Sequence, residues 1–491
     1  MPTKKNYLMS NSKFSNITLN YLISNFFPRA ASLLLLPVFL RLMEINIWGE
    51  ISLLLAFQIV FVNIFSWGLD SLGHRVFQDL DTAKKNEFIS KTTKKFFIYN
   101  IIFLLILEFL INTNLTNFFN IDYGIPFRLT VLTAILLSFT RLLTNLYKSI
   151  NESAVVRNSI YIESILVPVF QLFLVSIIIY FYGFDDRMIV SSYFIGQFLG
   201  TFLKTYYLKS RSNKLFSQSN EVTLNLSKEL QNNYSNLSYI YALFSMLLGW
   251  QDRFFLTKYY SLEEVAEYST VYRLADLHGV FVSAFVVAFA PILWSVSNKN
   301  KKKSMELFKH IISVSSLLGC LGVCISVIIG PILLPPKYQA ALVIIPYLAI
   351  GLIFGSFASL YGLILEKNYR LNIRLYSMIL GATVNFLLIY FTIGEYGIIG
   401  LSISTMIGYF VVFLVNYFYA DKIFKPLLLN KELFISIIII GAFIVFYRDV
   451  WFLNLFFLIL SVLLLSMMIF LFKKIIKIQN TDFFIPGNLD D

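Results

Sequence analysis

In the stretch "GWQDRFFLTKYYSLEEVAEYSTVYRLADLHG" (249–279), Asp252 and Arg253 adjoin, and Arg273 and Asp276 stand one helical turn apart. A guanidinium holds phosphate oxygens through a planar fork that stays charged. A carboxylate nearby either balances that charge or takes up a proton or a cation. Two uses follow for Arg273 and Asp276. They pair at i, i+3 and lock a helix, or they face a wet space and meet a charged ligand. Composition sharpens the choice: 57% of the 491 residues are hydrophobic and 14% are charged, against roughly 25% charged in soluble domains. Lipid solvates most of such a chain, and there an ionised group costs at least ~2.5–3.5 kcal/mol unless it meets water or a partner.

Helical spacing groups the polar residues into faces. Tyr21, Asn25, Arg29 and Ser32 recur at i, i+4, i+8 and i+11, with Pro28 loosening the backbone beside Arg29. Asn63, Ser66 and Asp70 follow a three-then-four spacing; Ser238, Ser245, Gly249 and Asp252, at steps of seven, four and three, also share one helical face. Ser269, Arg273, Asp276 and Ser283 form a fourth stripe. Lipid would not tolerate these faces, so they are expected to line one central cavity. Arg29 and Arg141 have no acid within a turn and are expected to offer positive charge to that cavity, with Glu108 and Glu163 as more distant partners. Arg253 points about 100° away from Asp252 on a helix and is expected to snorkel toward the interface. His278 reads as a packed histidine. Cys320 and Cys324, four apart with no histidine or acid nearby, read as small packing residues and not as metal ligands.

These stripes must be positioned by membrane-spanning helices of about 20 apolar residues each. Fourteen spans are expected: 17–40, 49–73, 96–113, 129–147, 159–181, 188–207, 237–257, 265–295, 310–330, 341–365, 375–392, 398–419, 433–447 and 452–472. The eighth is long and interrupted by Pro291, and the thirteenth is short. No small-residue cleavage pattern follows the first apolar run, which reads as a retained helix. With the N-terminus placed in the cytoplasm, and Lys204 at the end of the sixth span counted with the loop that follows it, inside segments hold 30 of the 40 Lys and Arg and outside segments 6; the other 4 (Arg29, Arg141, Arg253, Arg273) lie within spans. That asymmetry places both termini inside.

The formal charge of +12 therefore belongs to loops that flank spans and meet anionic headgroups, and no nucleic-acid partner is expected. Each outside loop is short and holds at most one Lys or Arg, which disfavours a catalytic domain and hence an enzyme. The expected organisation is residues 1–208 as a first set of six helices, 209–236 as a polar cytoplasmic linker, 237–420 as a second set of six, and 421–491 as two further helices and a tail. The all-α polytopic fold then has two six-helix lobes around the cavity. A weak internal echo supports the division, "FLRLMEINIWGEIS" (39–52) matching "FLTKYYSLEEVAEYS" (255–269). Six helices per half preserves orientation, so the halves relate through an axis along the membrane normal.

Three segments carry a family resemblance. "LLPVFLRLMEINIWGEISLL" (36–55), "WGLDSLGHRVF" (67–77) and "WQDRFFLTKYYSLEEVAEYSTVYRLA" (250–275) resemble motifs of the O-antigen and capsule polysaccharide flippases, a branch of the MOP exporters that also holds the MATE multidrug exporters and the lipid II flippase. Two positions depart from the pattern: Trp48 stands where Tyr or Phe is usual, and Ala266 where Gly is usual. The resemblance implies alternating access and a cargo of undecaprenyl-pyrophosphate-linked oligosaccharide moved from the cytoplasmic to the outer leaflet of the bacterial inner membrane. It implies membrane lipids, a polysaccharide polymerase and a chain-length regulator as partners. It makes Arg29, Asp70, Arg75, Asp252, Arg253 and Arg273 candidate cavity or gate residues. Asn25, Asn63 and Arg141 join them on the cavity side, and Asp70, Asp252 and Asp276 are the acids expected to couple transport to H⁺ or Na⁺, with no other cofactor. A multidrug exporter, a lipid II-type flippase and, more remotely, an O-antigen polymerase are the competing readings.

Overall fold

A computed structural model describes residues 27, 31–69, 82–112, 124–149, 152–216, 228–277, 279, 282, 301–367 and 370–420. All regular structure among them is helical. In chain order the helices are α1 (Ala31–Leu42), α2 (Ile45–Ser66), α3 (Thr82–Asn112), α4 (Ile125–Ser149), α5 (Ser153–Tyr182) and α6 (Asp186–Phe216). There follow α7 (Lys228–Tyr259), α8 (Leu262–Ala275), α9 (Lys301–Leu333), a 3₁₀ segment (Pro336–Ile344), α10 (Ile345–Lys367) and α11 (Leu371–Tyr419). Six stretches among the described residues are long and apolar enough to cross a membrane. Apolar side chains also point outward in helical register: Ile101, Leu105 and Phe109 on α3, and Val169 and Phe173 on α5. A multi-pass membrane protein accounts for both.

The expected spans meet the helices with three adjustments. The eleventh and twelfth belong to the single element α11, which breaks at Gly397 (φ 52°, ψ −133°). A side chain is strained at that φ, and the break frees backbone carbonyls. One of them, on Ile393, accepts a hydrogen bond from Tyr260 Oη at 2.7 Å. Next, α6 runs on to Phe216 and α7 begins at Lys228, so helix invades the stretch expected as linker. Backbone bonding continues past the apolar core because polar side chains do not interrupt it. Lastly, α8 is described as a helix from Leu262 to Ala275; Pro291 and the thirteenth and fourteenth spans lie outside the described residues.

Helix α2 is the packing centre. It contacts α4, α7 and α8, while α5 packs on α6, α4 on α6, α10 on α11 and α7 on α11. The two hairpins that echo one another in sequence meet here. A Cβ on Gly49 would lie 2.0 Å from the Leu262 carbonyl oxygen, so only glycine allows α2 this close to the start of α8. Trp48 Nε1 donates to Thr270 Oγ1 at 3.0 Å alongside. The second hairpin turns without a glycine because Ser261 caps α8: its hydroxyl accepts from Glu263 N at 3.2 Å, and the Glu264 carboxylate accepts from Ser261 N at 3.1 Å. Ala266 sits a turn further on, fully buried. At the other end of α2, Trp67 takes a left-handed conformation (φ 49°). Asn100 of α3 holds it there, accepting from Trp67 Nε1 at 3.0 Å and donating to the Phe65 carbonyl at 3.3 Å. Cys320 and Cys324 are buried within the core on α9.

Candidate functional site

A cavity of about 550 Å³ opens between α2, α4, α7, α8, α10 and α11. Its wall on α7 includes Ser238, Tyr241, Ser245 and Gly249; three of these belong to the stripe expected from spacing, whose fourth member, Asp252, does not line it. Asn63 enters from α2, Arg141 and Asn145 from α4, Tyr272 and Asp276 from α8, and Arg374 and Tyr409 from α11. Arg141 is exposed into this space, and its Nη1 donates to Asn63 Oδ1 at 3.0 Å. Arg374 donates through Nη2 to Tyr241 Oη at 3.2 Å, with its guanidinium carbon 4.4 Å from the Tyr241 ring centre. Two guanidinium groups thus flank a wet space, each oriented by a neutral side chain. Asp276 lines the same space, and the fork geometry of a guanidinium suits phosphate oxygens.

Arg374 escapes a reading based on loops. It stands four residues after Arg370, one residue before the expected span 375–392, and counts there as a cytoplasmic loop charge. Because α11 starts at Leu371, Arg374 lies in its first turn and reaches inward to Tyr241. Lys204 shows the same pattern. Counted with the polar stretch after the sixth span, it lies on α6, only 9% exposed and paired with Glu163.

Arg273 enters a separate cavity of about 260 Å³ shared with Ser32, Trp48, Glu163, Gln171 and Tyr193. Its guanidinium carbon stands 5.0 Å from the Trp48 ring centre. The Arg273–Asp276 lock therefore gives way to two side chains in different spaces: Arg273 faces one cavity and Asp276 the other, against Gly279. A spacing of i, i+3 permits a pair but does not compel it when each group has better company. The distant partners proposed for the arginines are also engaged elsewhere, Glu108 with Arg128 at 2.6 Å and Glu163 with Lys204.

Asp252 and Arg253 line neither cavity. They are 0% and 1% exposed, so Arg253 does not snorkel. Its Nη1 lies 3.7 Å from Asp252 Oδ2 and donates to the Gly249 carbonyl at 3.0 Å. Its guanidinium carbon is 4.2 Å from the Tyr272 ring centre, 4.5 Å from Trp250 and 5.3 Å from Tyr268. Adjacent residues diverge at Cβ, but the long arginine stem folds back through this aromatic box and recovers the carboxylate. Asp252 also accepts from Tyr268 Oη and from Thr405 Oγ1, the latter at 3.3 Å. Asn25, Arg29, Asp70, Arg75 and His278 lie outside the described residues.

No family model matches the chain. An uncharacterized membrane protein of Methanocaldococcus jannaschii is 28% identical over 219 residues, and the matched part is 42% of this chain and 42% of that protein. The chain thus spans about two-fifths of the length of that relative. Among solved structures, the lipid II flippase MurJ in an inward closed conformation superposes with a TM-score of 0.67 at 14% identity, covering 93% of this chain and 99% of that one. A MATE transporter of Vibrio cholerae superposes with a TM-score of 0.61 at 14% identity, covering 86% and 98%. An inward-facing multidrug resistance MATE transporter of the MOP superfamily gives 0.57 at 13%, covering 88% and 96%. At these identities the likeness is one of fold: the chain shares its all-helical fold with these solved transporters and flippases.

Proposed function

We propose that this protein is a flippase that moves an undecaprenyl-pyrophosphate-linked oligosaccharide repeat across the bacterial inner membrane by alternating access, for O-antigen or capsule assembly. The observation that carries the reading is the polar cavity lined by Arg141 and Arg374, which donate to Asn63 and Tyr241 on its wall. Pyrophosphate is too strongly hydrated to enter an apolar interior unaided. Two fixed guanidinium groups replace part of its water shell, while Asn63, Asn145, Ser238 and Tyr241 provide hydrogen-bonding groups for a hydrated glycan. Arg273, with Arg29, would form a second cationic station.

The lobes of the proposal are residues 1–208 and 237–420, joined by 209–236, with both termini cytoplasmic and 421–491 as an appendix. Rocking of the two lobes would expose the cavity to each side in turn. Among the described acids, Asp276 lines the cavity while Asp252 is held by Arg253, Tyr268 and Thr405. Asp276 is therefore the better placed to couple H⁺ or Na⁺ movement to transport. The polymerase and chain-length regulator would act on the delivered repeats. A lipid II-type cargo is the second reading, favoured by the likeness to MurJ; the pyrophosphate and polyprenyl chemistry would be shared and the glycan different.

The test uses cells lacking the protein, complemented with wild type or with Arg141→Ala and Arg374→Ala, and assays which leaflet holds the lipid-linked oligosaccharide. Accumulation on the cytoplasmic side, relieved by wild type and not by the variants, is the expected outcome. Intact repeats on the outer leaflet of cells without the protein would end the flippase reading.

A further inference from the structure

One face of α2 serves two purposes. Gly49, Ser52, Ala56, Ile59 and Asn63, at i, i+3, i+7, i+10 and i+14, share that face. At its start, Gly49 lies against the Leu262 carbonyl of α8, and Trp48 beside it donates to Thr270. At its end, Ile59 and Asn63 line the polar cavity. Helix α8 repeats the division. Leu262, Ala266, Ser269, Arg273 and Asp276 share a face; Leu262 touches Gly49, Arg273 stands over Trp48, and Asp276 lines the cavity. The two helices therefore meet in a tight seam at one end and part around the cavity at the other. Lys337 Nζ, donating to the Met43 carbonyl at 3.3 Å, adds a bond between the 3₁₀ segment and the chain just before α2.

We infer that the balance between a closed and a parted seam is set by two opposed features: the Trp48–Thr270 bond holds it shut, and the hydroxyls of Ser52 and Ser269 press it open. The inference rests on the alternating-access reading and adds what fixes its resting state. Both serines are buried, and neither hydroxyl oxygen has a hydrogen-bond partner. Ser52 stands one turn from Trp48 and Gly49, and Ser269 stands between Leu262 and Arg273 on the face that meets α2. A buried hydroxyl left unpaired forfeits its hydration, and water entering a parted seam restores it. A permanent helix contact gains nothing from two such groups, and alanine would fill both places without that cost. Against them work close approach through Gly49 and Ala266 and the indole N–H of Trp48. Phenylalanine has no such donor. A seam built from both kinds of feature closes firmly enough to end the cavity and still opens.

The experiment uses the full chain in nanodiscs, with Cys320→Ala and Cys324→Ala and spin labels at Glu44→Cys and Glu263→Cys, two exposed positions beside the starts of α2 and α8. Pulsed dipolar spectroscopy then reads the ratio of parted to closed seam as a longer and a shorter separation. Trp48→Phe and Thr270→Val should each raise that ratio about fivefold, with little further gain when combined, because both remove one bond. Ser52→Ala and Ser269→Ala should each lower it about fivefold or more. Gly49→Ala should part the seam furthest; the serine variants, which remove an atom and add none, carry the test should that one misfold. One separation common to wild type and every variant would make the seam a fixed interface and overturn the inference. So would serine variants that part the seam, since the hydroxyls would then be holding it shut. A fixed seam in a protein that passes the leaflet assay overturns this inference alone. A seam that responds as expected in a protein that fails that assay leaves the inference standing and ends the flippase reading.

Discussion

Arg253 and the pair Arg141 and Arg374 use the same side chain in opposite ways. Arg253 is sealed among Trp250, Tyr268 and Tyr272 with a carboxylate at 3.7 Å, so its charge is spent inside the fold. Arg141 and Arg374 hydrogen-bond to Asn63 and Tyr241 and keep their charge turned to a wet space. The difference teaches that an intramembrane arginine is not by itself a ligand site. What surrounds the guanidinium decides: burial against an acid and stacked rings makes it structural, and a place on a cavity wall lets it meet a ligand.

The comparison breaks most visibly at its buried member. Asp252→Ala leaves Arg253 without its counter-charge, and the expected loss is about 3–5 kcal/mol, seen as a lowered melting temperature and reduced yield in detergent. If Asp252→Ala melts like wild type, the pair is not structural. The cavity arginines should behave in the reverse manner. Arg141→Ala or Arg374→Ala removes a charge-assisted contact worth about 1.5–3 kcal/mol, so pyrophosphate-lipid binding should weaken by roughly tenfold or more with melting little changed. A stability loss matching that of the Asp252 variant would erase the distinction.

Smaller effects sharpen the picture around these sites. Gly397→Ala forces a side chain into a strained backbone region at the break in α11 and should cost about 1–3 kcal/mol. Tyr260→Phe, which strips the Ile393 carbonyl of its donor, should cost about 1 kcal/mol. Thermal unfolding in detergent ranks the two. Of similar size to the tyrosine variant is the cap of α8. Its Ser261 hydroxyl holds the Glu264 carboxyl below the usual carboxylate range, so its contribution is present above the ordinary carboxylate pKa and fades as pH falls through the lowered one. Ser261→Ala should remove about 0.5–2 kcal/mol at neutral pH and leave less of a difference in acid, measured as melting temperature against pH.

Much of the helical framework was legible before any tertiary contact was known, because a bilayer enforces long apolar helices and a charge bias that composition exposes directly. The cavity face of α7 was legible too: Ser238, Ser245 and Gly249 share a side of any helix. Arg374 was not, since a charge at the end of an apolar run looks the same whether it bends outward to water or inward to a tyrosine. Nor was the reach of Arg253 back to Asp252, because side-chain direction at Cβ says little about a stem that long.

The sequence by itself determined that this chain is a polytopic helical membrane protein carrying arginines at membrane depth. Those properties depend on local period and on transfer from water to lipid, which each segment carries alone. Tertiary packing settles which arginine is sealed in the fold and which lines a cavity. It also places Arg273 and Asp276 in different spaces and sets an apolar groove against a polar cavity at Met246. Each of these depends on which helix packs beside which, and pair contacts between residues hundreds of positions apart leave no trace in the spacing of either one.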